Sequence, residues 1–270
     1  MVICPICRAA LRMERQSWHC ENKHSFDVAR QGYVNLLPVQ QKHSIAPGDT
    51  REMVDARREF LDLGHYWPIA NTLRECVQKY APDAQTILDA GCGEGYYLSQ
   101  LSHIANRWGI DISKEAVRYA AAREKTIHWL TATAAHLPFE NGSFDCVLSM
   151  FAFTAENEFA RVLKDGGIFI QVLAGAKHLS ALKKIIYPEI FEKEKDLQPN
   201  FDEFQLLKSR PITFEFELND QKSIHDLLYM TPHVHRISKL GAEALASTTH
   251  LRDRAEVVFN VYQVDKAQKI

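Results

Sequence analysis

Apolar residues recur in two alternating patterns from about residue 86 onwards. Short apolar runs typical of buried parallel strands alternate with segments in which apolar residues repeat at helical spacing. The predicted strands cover residues 86–90, 107–111, 127–131, 144–150 and 168–174. The predicted helices cover residues 96–103, 114–123 and 156–163, with Ser113 as N-cap of the second and Gly166-Gly167 ending the third. This alternation predicts an α/β fold with a doubly wound parallel sheet.

The segment before the first predicted strand has the pattern of a loop that leads into a helix. Asp49 and Glu52 have the spacing of a capping pair, and Gly64 is placed to end the helix. Arg51 and Arg58 lie two turns apart on one side of it. They fit phosphate contacts and a solvated helix face equally well. The apolar stripe of this helix comprises Met53, Ala56, Phe60 and Leu63.

Soft metal ligands are paired near the start of the chain. Cys4-Pro-Ile-Cys7 presents two thiols across a tight turn, and Cys20-Glu-Asn-Lys-His24 presents a thiol and an imidazole. Zinc prefers four such donors in a tetrahedron, so Cys4, Cys7, Cys20 and His24 predict a zinc module. His19 competes with His24 as the nitrogen ligand, and a redox Cys-x-x-Cys or scattered buried thiols are the alternative.

Composition adds few constraints on function. The chain has 270 residues with 46% hydrophobic composition, enough for one large domain with an appendage, and its net charge of −2 does not discriminate between partners. Cys76, Cys92 and Cys146 are isolated, which indicates a reducing cytosol. No stretch reaches the roughly 18 apolar residues of a membrane span, so we expect a cytoplasmic protein without a membrane contact.

A glycine-rich turn follows the first predicted core strand. Thr86-Ile-Leu-Asp89 leads into Gly91, Gly93 and Gly95, and Asp111 closes the next strand about twenty residues later, as in folds that bind nucleotide cofactors. Asp89 before the turn and Glu94 within it place negative charge where a dinucleotide would place its pyrophosphate. S-adenosylmethionine, which has cationic groups and no phosphate, suits this loop better.

At this point the chain resembles the class I S-adenosylmethionine-dependent methyltransferases, with a Rossmann-like fold. The resemblance is carried by Leu88–Gly95 with Asp111, by Leu137-Pro-Phe139, by Ser143–Leu148 and by Arg161–Phe169. It implies that the β-rich runs Ile212–Leu218 and Val257–Val264 form an antiparallel hairpin that completes the sheet. Residues 224–233, between these runs, look like an inserted helix and turn beside the active site.

The zinc module and connector together are similar to the RlmA type of 23S rRNA guanine-N1 methyltransferase. The matching segments are Phe26–Val39, Pro47-Gly-Asp49, Ala56–Arg58, Phe60–Asp62 and Gly64–Tyr66. The resemblance implies methylation at N1 of a guanosine in a hairpin loop of 23S rRNA. It also implies a zinc-binding RNA-recognition module over residues 1–40, a connector over 41–65 and a methyltransferase domain over 66–270.

The same resemblance implies a set of cofactor-binding residues: Tyr66, Asp89, Gly91, Gly93, Glu94, Gly95, Asp111 and His178. Tyr66 as a packed aromatic residue and His178 as a helix-start residue are the alternatives. Thr133 stands where many members of the superfamily have an adenine-binding carboxylate or amide, so backbone groups would have to serve instead. The segment Ser149–Phe153 lies where the superfamily positions its target, and its aromatic residues would either stack on the base or belong to the core.

Two other functions compete with RNA methylation. One is a methyltransferase for a small molecule in which zinc is purely structural, and the other is an RNA-binding scaffold without turnover. The sequence identifies no general base and does not say which guanosine is modified. We expect a homodimer if the zinc module packs against a second copy.

Overall fold

The computed structural model describes residues 2–41, 47–189 and 196–266. A small antiparallel sheet opens the chain, with β1 (Arg12–Glu14), β2 (Ser17–His19) and β3 (Ser25–Asp27) in that order. It rests on the rest of the protein, because the Ile3 amide donates to the Pro138 carbonyl over 2.9 Å. Trp18 also packs edge-on against Trp108, with ring centroids 6.4 Å apart.

The main sheet has eight strands and is mixed. The strands are β4 (Tyr33–Asn35), β5 (Thr86–Ala90), β6 (Asn106–Asp111), β7 (His128–Thr131), β8 (Phe144–Met150), β9 (Leu163–Ala174), β10 (Phe204–Leu218) and β11 (Leu251–Val264). Their order in the sheet is β10-β11-β9-β8-β5-β6-β7-β4, and β10 and β11 form the antiparallel hairpin that the resemblance implied. The strands from β9 to β4 pair in parallel, which confirms the predicted α/β, Rossmann-like fold.

Eight α-helices are seen in the described residues. No helix there combines the length and the apolar character needed to cross a bilayer. The helices are α1 (Arg51–Asp62), α2 (Trp67–Tyr80), α3 (Tyr96–Ser99), α4 (Lys114–Arg123), α5 (Glu156–Val162), α6 (Ser180–Ile186), α7 (Gln221–Tyr229) and α8 (Lys239–Ala246). Short 3-10 helices cover Val39–Gln41, Ala134–His136 and Pro232–His235.

Some predicted helix ends are confirmed. Ser113 caps α4 by accepting a hydrogen bond from the Ala116 amide, and Gly64 follows α1 with φ +82°. The predicted cap of α1 is wrong: Thr50, not Asp49, accepts from the Met53 amide. The Asp49 carboxylate is engaged with Arg57 instead.

Other predicted boundaries shift for local reasons. Helix α3 ends at Ser99, where the Ser99 hydroxyl donates to the Tyr96 carbonyl and competes with the helical pattern. Helix α5 ends at Val162, and Gly166-Gly167 lie within β9 instead of before it. The register between β8 and β9 shifts at this irregular start of the strand.

Strand β4 joins the N-terminal segment to the main sheet. It falls within the predicted zinc module, yet Tyr33 pairs with Trp129 and Asn35 pairs with Thr131 in parallel register. The Leu36 amide then donates to the Thr131 carbonyl over 2.8 Å. The N-terminal segment therefore shares backbone hydrogen bonds with the main sheet.

Apolar side chains fill both faces of the sheet. Neighbouring strand residues point to opposite faces, so Ile87 belongs to one buried cluster and Leu88 to the other. On the first face, Trp129 lies directly under the glycine-rich turn. A methyl group added at Gly109 would lie 2.3 Å from the Trp129 ring, and one added at Gly95 would lie 2.7 Å from it. The Trp129 ring therefore fills space that both glycines leave open.

We expect Gly109→Ala to destabilise the fold by about 1–3 kcal/mol, because the added methyl group overpacks against Trp129. Urea unfolding followed by circular dichroism measures this change. The cost should shrink in a Trp129→Leu background, where the clash is absent, and a double-mutant cycle isolates that coupling. Equal costs in both backgrounds would contradict the contact.

Candidate cofactor site and metal centre

The predicted cofactor residues meet at the carboxyl ends of three neighbouring parallel strands. Asp89 lies near the end of β5, Asp111 ends β6, and Phe151 follows β8. In open α/β sheets this edge is where ligands bind. The sheet order therefore gathers residues that are far apart in sequence.

Asp89 is the electrostatic centre of this edge. Its side chain is 1% exposed, and neither carboxylate oxygen has a hydrogen-bond partner in the part of the chain that the structure describes. Burial, and then the nearby charge of Asp111, raises the pKa of Asp89 to about 8. A buried carboxylate without a partner is unfavourable. A cationic hydrogen-bond donor at this position would relieve that cost.

Asp111 is held by the backbone. One carboxylate oxygen accepts from the Gly93 amide over 2.9 Å, and the other accepts from the Ser113 amide over 2.8 Å. Burial raises the pKa of Asp111, and these two amides oppose the rise. Each oxygen keeps a lone pair, so the carboxylate can accept from a pair of ribose hydroxyls.

The three glycines of the turn adopt left-handed backbone conformations. Gly91 has φ +92°, and a methyl group there would lie 2.4 Å from the Cβ of Ala152. Gly95 has φ +87° and is closed off by Trp129. Other residues would be strained at these angles and would clash, so the turn requires glycine for its shape.

Glu94 does not contribute free negative charge to the site. Its carboxylate is buried and forms an ion pair with Arg123 at 2.6 Å, and Arg123 also reaches Asp62 at 2.7 Å. Glu94 thus ties the turn to α4 and α1. The expectation that Glu94 adds to the repulsion of a pyrophosphate is therefore corrected, since Arg123 offsets its charge. The anionic character of the site therefore rests on Asp111 and, once it has lost its proton, on Asp89.

The structure brings Tyr66 and His178 together across 112 positions of sequence. The Glu256 amide donates to His178 Nδ1 over 3.2 Å, so the neutral ring carries its hydrogen on Nε2 and donates it to the Tyr66 hydroxyl over 3.3 Å. Tyr66 is 2% exposed and packs edge-on against Phe60 and Phe216. It is both a core aromatic and the fixed partner of His178.

Phe151 adjoins this pair. Its ring stacks on His178 with centroids 6.1 Å apart and lies 6.4 Å from Tyr97. The residue has φ +56°, is 40% exposed and immediately precedes Ala152, which contacts the glycine turn. Phe153 is 70% exposed, so neither phenylalanine is a core residue, and that alternative is wrong.

Thr133 has a local role. Its hydroxyl oxygen accepts from the Ala135 amide over 3.2 Å and caps the short helix Ala134–His136. The expectation that backbone groups serve the adenine stays a prediction.

The site as a whole fits S-adenosylmethionine. Asp89 lacks a cationic partner, Asp111 has capacity for hydroxyl donors, and the glycine turn permits close approach of a ligand to the main chain. The predicted residues Tyr66 and His178 lie beside Phe151 at the same edge. When bound, this cofactor supplies an activated methyl group.

The four predicted zinc ligands form a compact cluster. All ligand atoms of Cys4, Cys7, Cys20 and His24 lie within 4.8 Å of one another. The Cys7 and Cys20 sulfurs are 3.7 Å apart, and His24 Nδ1 lies 3.5 Å from the Cys4 sulfur. A tetrahedron with zinc–sulfur bonds of about 2.3 Å has sulfur–sulfur edges of about 3.8 Å. The cluster therefore fits zinc, and His19, on β2, lies outside it.

Arg57 is a site residue that the sequence analysis missed. Arg51 and Arg58, the arginines it considered, form helix-surface ion pairs at 3.6 Å with Asp55 and Asp62. Arg57 instead lies over the glycine turn, with its Nη1 3.6 Å from a methyl group built on Gly93. The sequence did contain a signal for Arg57, since this residue lies beside the apolar stripe of α1. A charged side chain on the inward side of a helix needs a partner there.

Comparison with known proteins agrees with both parts of the chain. A zinc-ribbon family model described as "RlmA, N-terminal" matches residues 2–45, and one described as "Methyltransferase domain" matches residues 88–171. A putative 23S rRNA (guanine-N(1)-)-methyltransferase of Bacillus subtilis is 32% identical over 246 residues, 86% of each chain. The 23S rRNA (guanine(748)-N(1))-methyltransferase of Streptomyces fradiae is 38% identical over 66% of this chain and 65% of that one.

One solved structure superposes on this chain with a TM-score of 0.50. It comes from work on the conversion of a disulfide bond into a thioacetal group during echinomycin biosynthesis. It covers 73% of this chain and 82% of that chain at 11% identity, so the likeness concerns the fold alone. The length and identity of the Bacillus subtilis match show the family. This chain belongs to the RlmA-type 23S rRNA (guanine-N1)-methyltransferases, within the class I S-adenosylmethionine-dependent methyltransferase superfamily.

Proposed function

We propose that this protein transfers the methyl group of S-adenosylmethionine to N1 of a guanosine in a hairpin loop of 23S rRNA. The observation that carries the proposal is the buried, unpartnered Asp89 carboxylate beside a glycine turn, in a chain that also has an RlmA-type zinc ribbon. The related enzymes named for guanine-N1 methylation of 23S rRNA support the acceptor. A cytoplasmic location and a homodimer stay predictions.

Each site residue receives a role in this proposal. Asp89 binds the ammonium group of the cofactor, and Asp111 accepts hydrogen bonds from the ribose hydroxyls. Gly91, Gly93, Glu94 and Gly95 shape the turn, with Glu94 acting through Arg123. Tyr66 and His178 line the same site as a hydrogen-bonded pair.

Phe151 is suited to hold the target base. Its half-exposed ring borders the Tyr66–His178 pair, and its left-handed φ is unusual for a bulky residue. Stacking on an aromatic ring is a common way to bind an unstacked RNA base. Holding the guanine nitrogen in line with the transferred methyl group supplies much of the catalysis. The N1 proton must leave during or before attack.

The zinc module is suited to grip RNA. Arg8 lies within electrostatic range of the Glu158 carboxylate, but it forms no close ion pair with it. The five described cations of the module are all exposed, and none forms a close ion pair with another described residue: Arg8, Arg12, Arg15, Lys23 and Arg30. Outside the module, Arg57 of the connector and Arg118, Arg123 and Arg161 of the methyltransferase domain all have carboxylate partners. Exposed cations without carboxylate partners fit phosphate groups.

Backbone geometry supports the same role. Arg8, Arg15 and Lys23 have φ between +57° and +64°, and they are the non-glycine residues with positive φ among the described part of the module. Glycine adopts this conformation at lower cost, so a cation at each such turn indicates that the side chain is used.

A direct assay tests the proposal. The zinc-loaded protein is incubated with methyl-labelled S-adenosylmethionine and either naked 23S rRNA or a metabolite extract. We expect label in the RNA and a new reverse-transcription stop at a guanosine, because a methyl group on N1 blocks base pairing. Label that appears in small molecules and never in RNA would favour the alternative acceptor and reject the proposal.

Cofactor binding should depend on the ionisation of Asp89. Its pKa is raised to about 8 in the cofactor-free protein, and the ammonium group binds the ionised carboxylate. Binding at neutral pH therefore releases a proton, and affinity rises with pH towards 8 by up to about tenfold per unit. Calorimetry in buffers of different ionisation enthalpy measures both quantities.

Asp89→Asn should weaken binding by about tenfold or more and abolish the proton release from this group. Because the folded-state pKa lies above the usual value of 3.8, the unfolded chain loses the Asp89 proton at a lower pH than the folded protein does. The stability of the protein without cofactor therefore falls as pH rises from about 4 to 8, and the variant loses this dependence. Asp55→Asn, on the exposed face of α1, is the control. Unchanged proton release in Asp89→Asn would contradict this role.

Zinc should depend on His24 and not on His19. We expect His24→Ala to lose stoichiometric zinc, because four ligands complete the structural site. Its N-terminal segment should exchange amide hydrogens faster, and RNA methylation should fall more than cofactor affinity. Elemental analysis and hydrogen-exchange mass spectrometry measure the first two effects. His19→Ala is the matched control, and zinc loss in that variant alone would overturn the ligand assignment.

A further inference from the structure

Arg57 reaches the cofactor turn from a different part of the chain. It lies on α1, and its side chain is the described neighbour within 4 Å of a methyl group built on Gly93, with Nη1 at 3.6 Å and Cδ at 4.0 Å. Its charge is also close enough to oppose the burial-induced rise of the pKa of Glu94 and of Asp111. Arg57 therefore lies against the turn, beside Gly93, Glu94 and Asp111.

The guanidinium has donors to spare. Arg57 forms an ion pair with Asp49 through Nη1 and donates to the Met230 carbonyl through Nη2 over 2.9 Å. A guanidinium carries five N–H groups, so these two contacts leave three for a ligand. The side chain is 25% exposed, and the ligand can reach it from the open side of the turn.

The charges around the turn create a need for such a cation. The methionyl end of the cofactor carries an ammonium group and a carboxylate. The carboxylates of Asp89 and Asp111 attract the ammonium group of the cofactor. They repel its carboxylate, since like charges at close range are unfavourable. Arg123, the other described arginine at the turn, is already engaged by Glu94 and Asp62.

We propose that Arg57 binds the methionyl carboxylate of S-adenosylmethionine. This inference rests on the proposed function and adds a residue to its cofactor site. Arginine suits the role because its planar fork matches a carboxylate with two parallel hydrogen bonds. Arg57 already pairs with one carboxylate, that of Asp49. Because Arg57 also contacts Asp49 and the Met230 carbonyl at the end of α7, a bound cofactor would be linked through Arg57 to both of these segments.

Decarboxylated S-adenosylmethionine separates this role from a purely structural one. Calorimetry compares the two ligands on the full-length, zinc-loaded protein and on Arg57→Gln, Arg57→Lys and Arg58→Gln. The wild-type protein should bind S-adenosylmethionine ten- to a hundredfold more tightly than the decarboxylated compound. Arg57→Gln should lose that preference, because the substitution weakens the binding of S-adenosylmethionine and leaves the binding of the decarboxylated compound unchanged. Arg57→Lys should retain part of it, and Arg58→Gln should retain all of it.

Three outcomes would overturn the inference. The wild-type protein could bind both ligands equally, which would show that the carboxylate is not recognised. Arg57→Gln could weaken both ligands to the same extent, which would make Arg57 only a brace between Asp49 and Met230. Absence of any S-adenosylmethionine binding by the wild-type protein would remove the proposed function as well, so the two failures are distinguishable.

Discussion

The burial of the Asp89 carboxylate without a hydrogen-bond partner is the constraint on which the site depends. The sheet places it at the end of β5, between β6 and β8, where water is excluded and Asp111 is close. Such an arrangement opposes folding, because the buried carboxyl group either keeps its proton, as its raised pKa of about 8 shows, or carries an unpaired charge. Most of the other buried polar side chains that the structure describes have hydrogen-bond partners, so the unpartnered Asp89 carboxyl group is an exception. A cationic ligand converts this unfavourable feature into a binding contribution, which favours a positively charged methyl donor over a pyrophosphate.

The glycine turn is fixed from several sides. Trp129 lies beneath Gly95 and Gly109, Ala152 abuts Gly91, and Arg57 lies over Gly93. Gly91 and Gly95 are thus each covered by a neighbour that leaves no room for a side chain. At Gly93 the space for a side chain is open, and Arg57 borders it. A turn preformed in this way loses little conformational entropy when the cofactor binds.

The sequence predicted the features that depend on local patterns. The core strands in their order along the chain, the N-cap Ser113 and the position of Asp111 follow from short runs of residues, and the structure has them. The four metal ligands follow from spacing alone, and the structure clusters them. Features that depend on tertiary contacts were missed. Asp49 was assigned as a helix cap because nothing in the local sequence shows that Arg57 pairs with it. Strand β4 was not predicted because its three residues are too few to show the alternation of apolar and polar residues typical of a strand.

The attachment of the zinc module has a consequence for recognition. Strand β4 pairs with the carboxyl-terminal residues of β7, and the Ser113 hydroxyl donates to the Asp49 carbonyl over 2.8 Å beside Asp111. The module is therefore anchored on the sheet by hydrogen bonds, and the connector after it returns to the cofactor edge. A module on a flexible linker would hold RNA at many distances from the active site, whereas an anchored one restricts them. RNA bound to the cations of such a module would present its bases to Phe151 from a limited range of directions. Under the proposed function, this restriction would let loop shape, in addition to base identity, determine which guanosine is methylated.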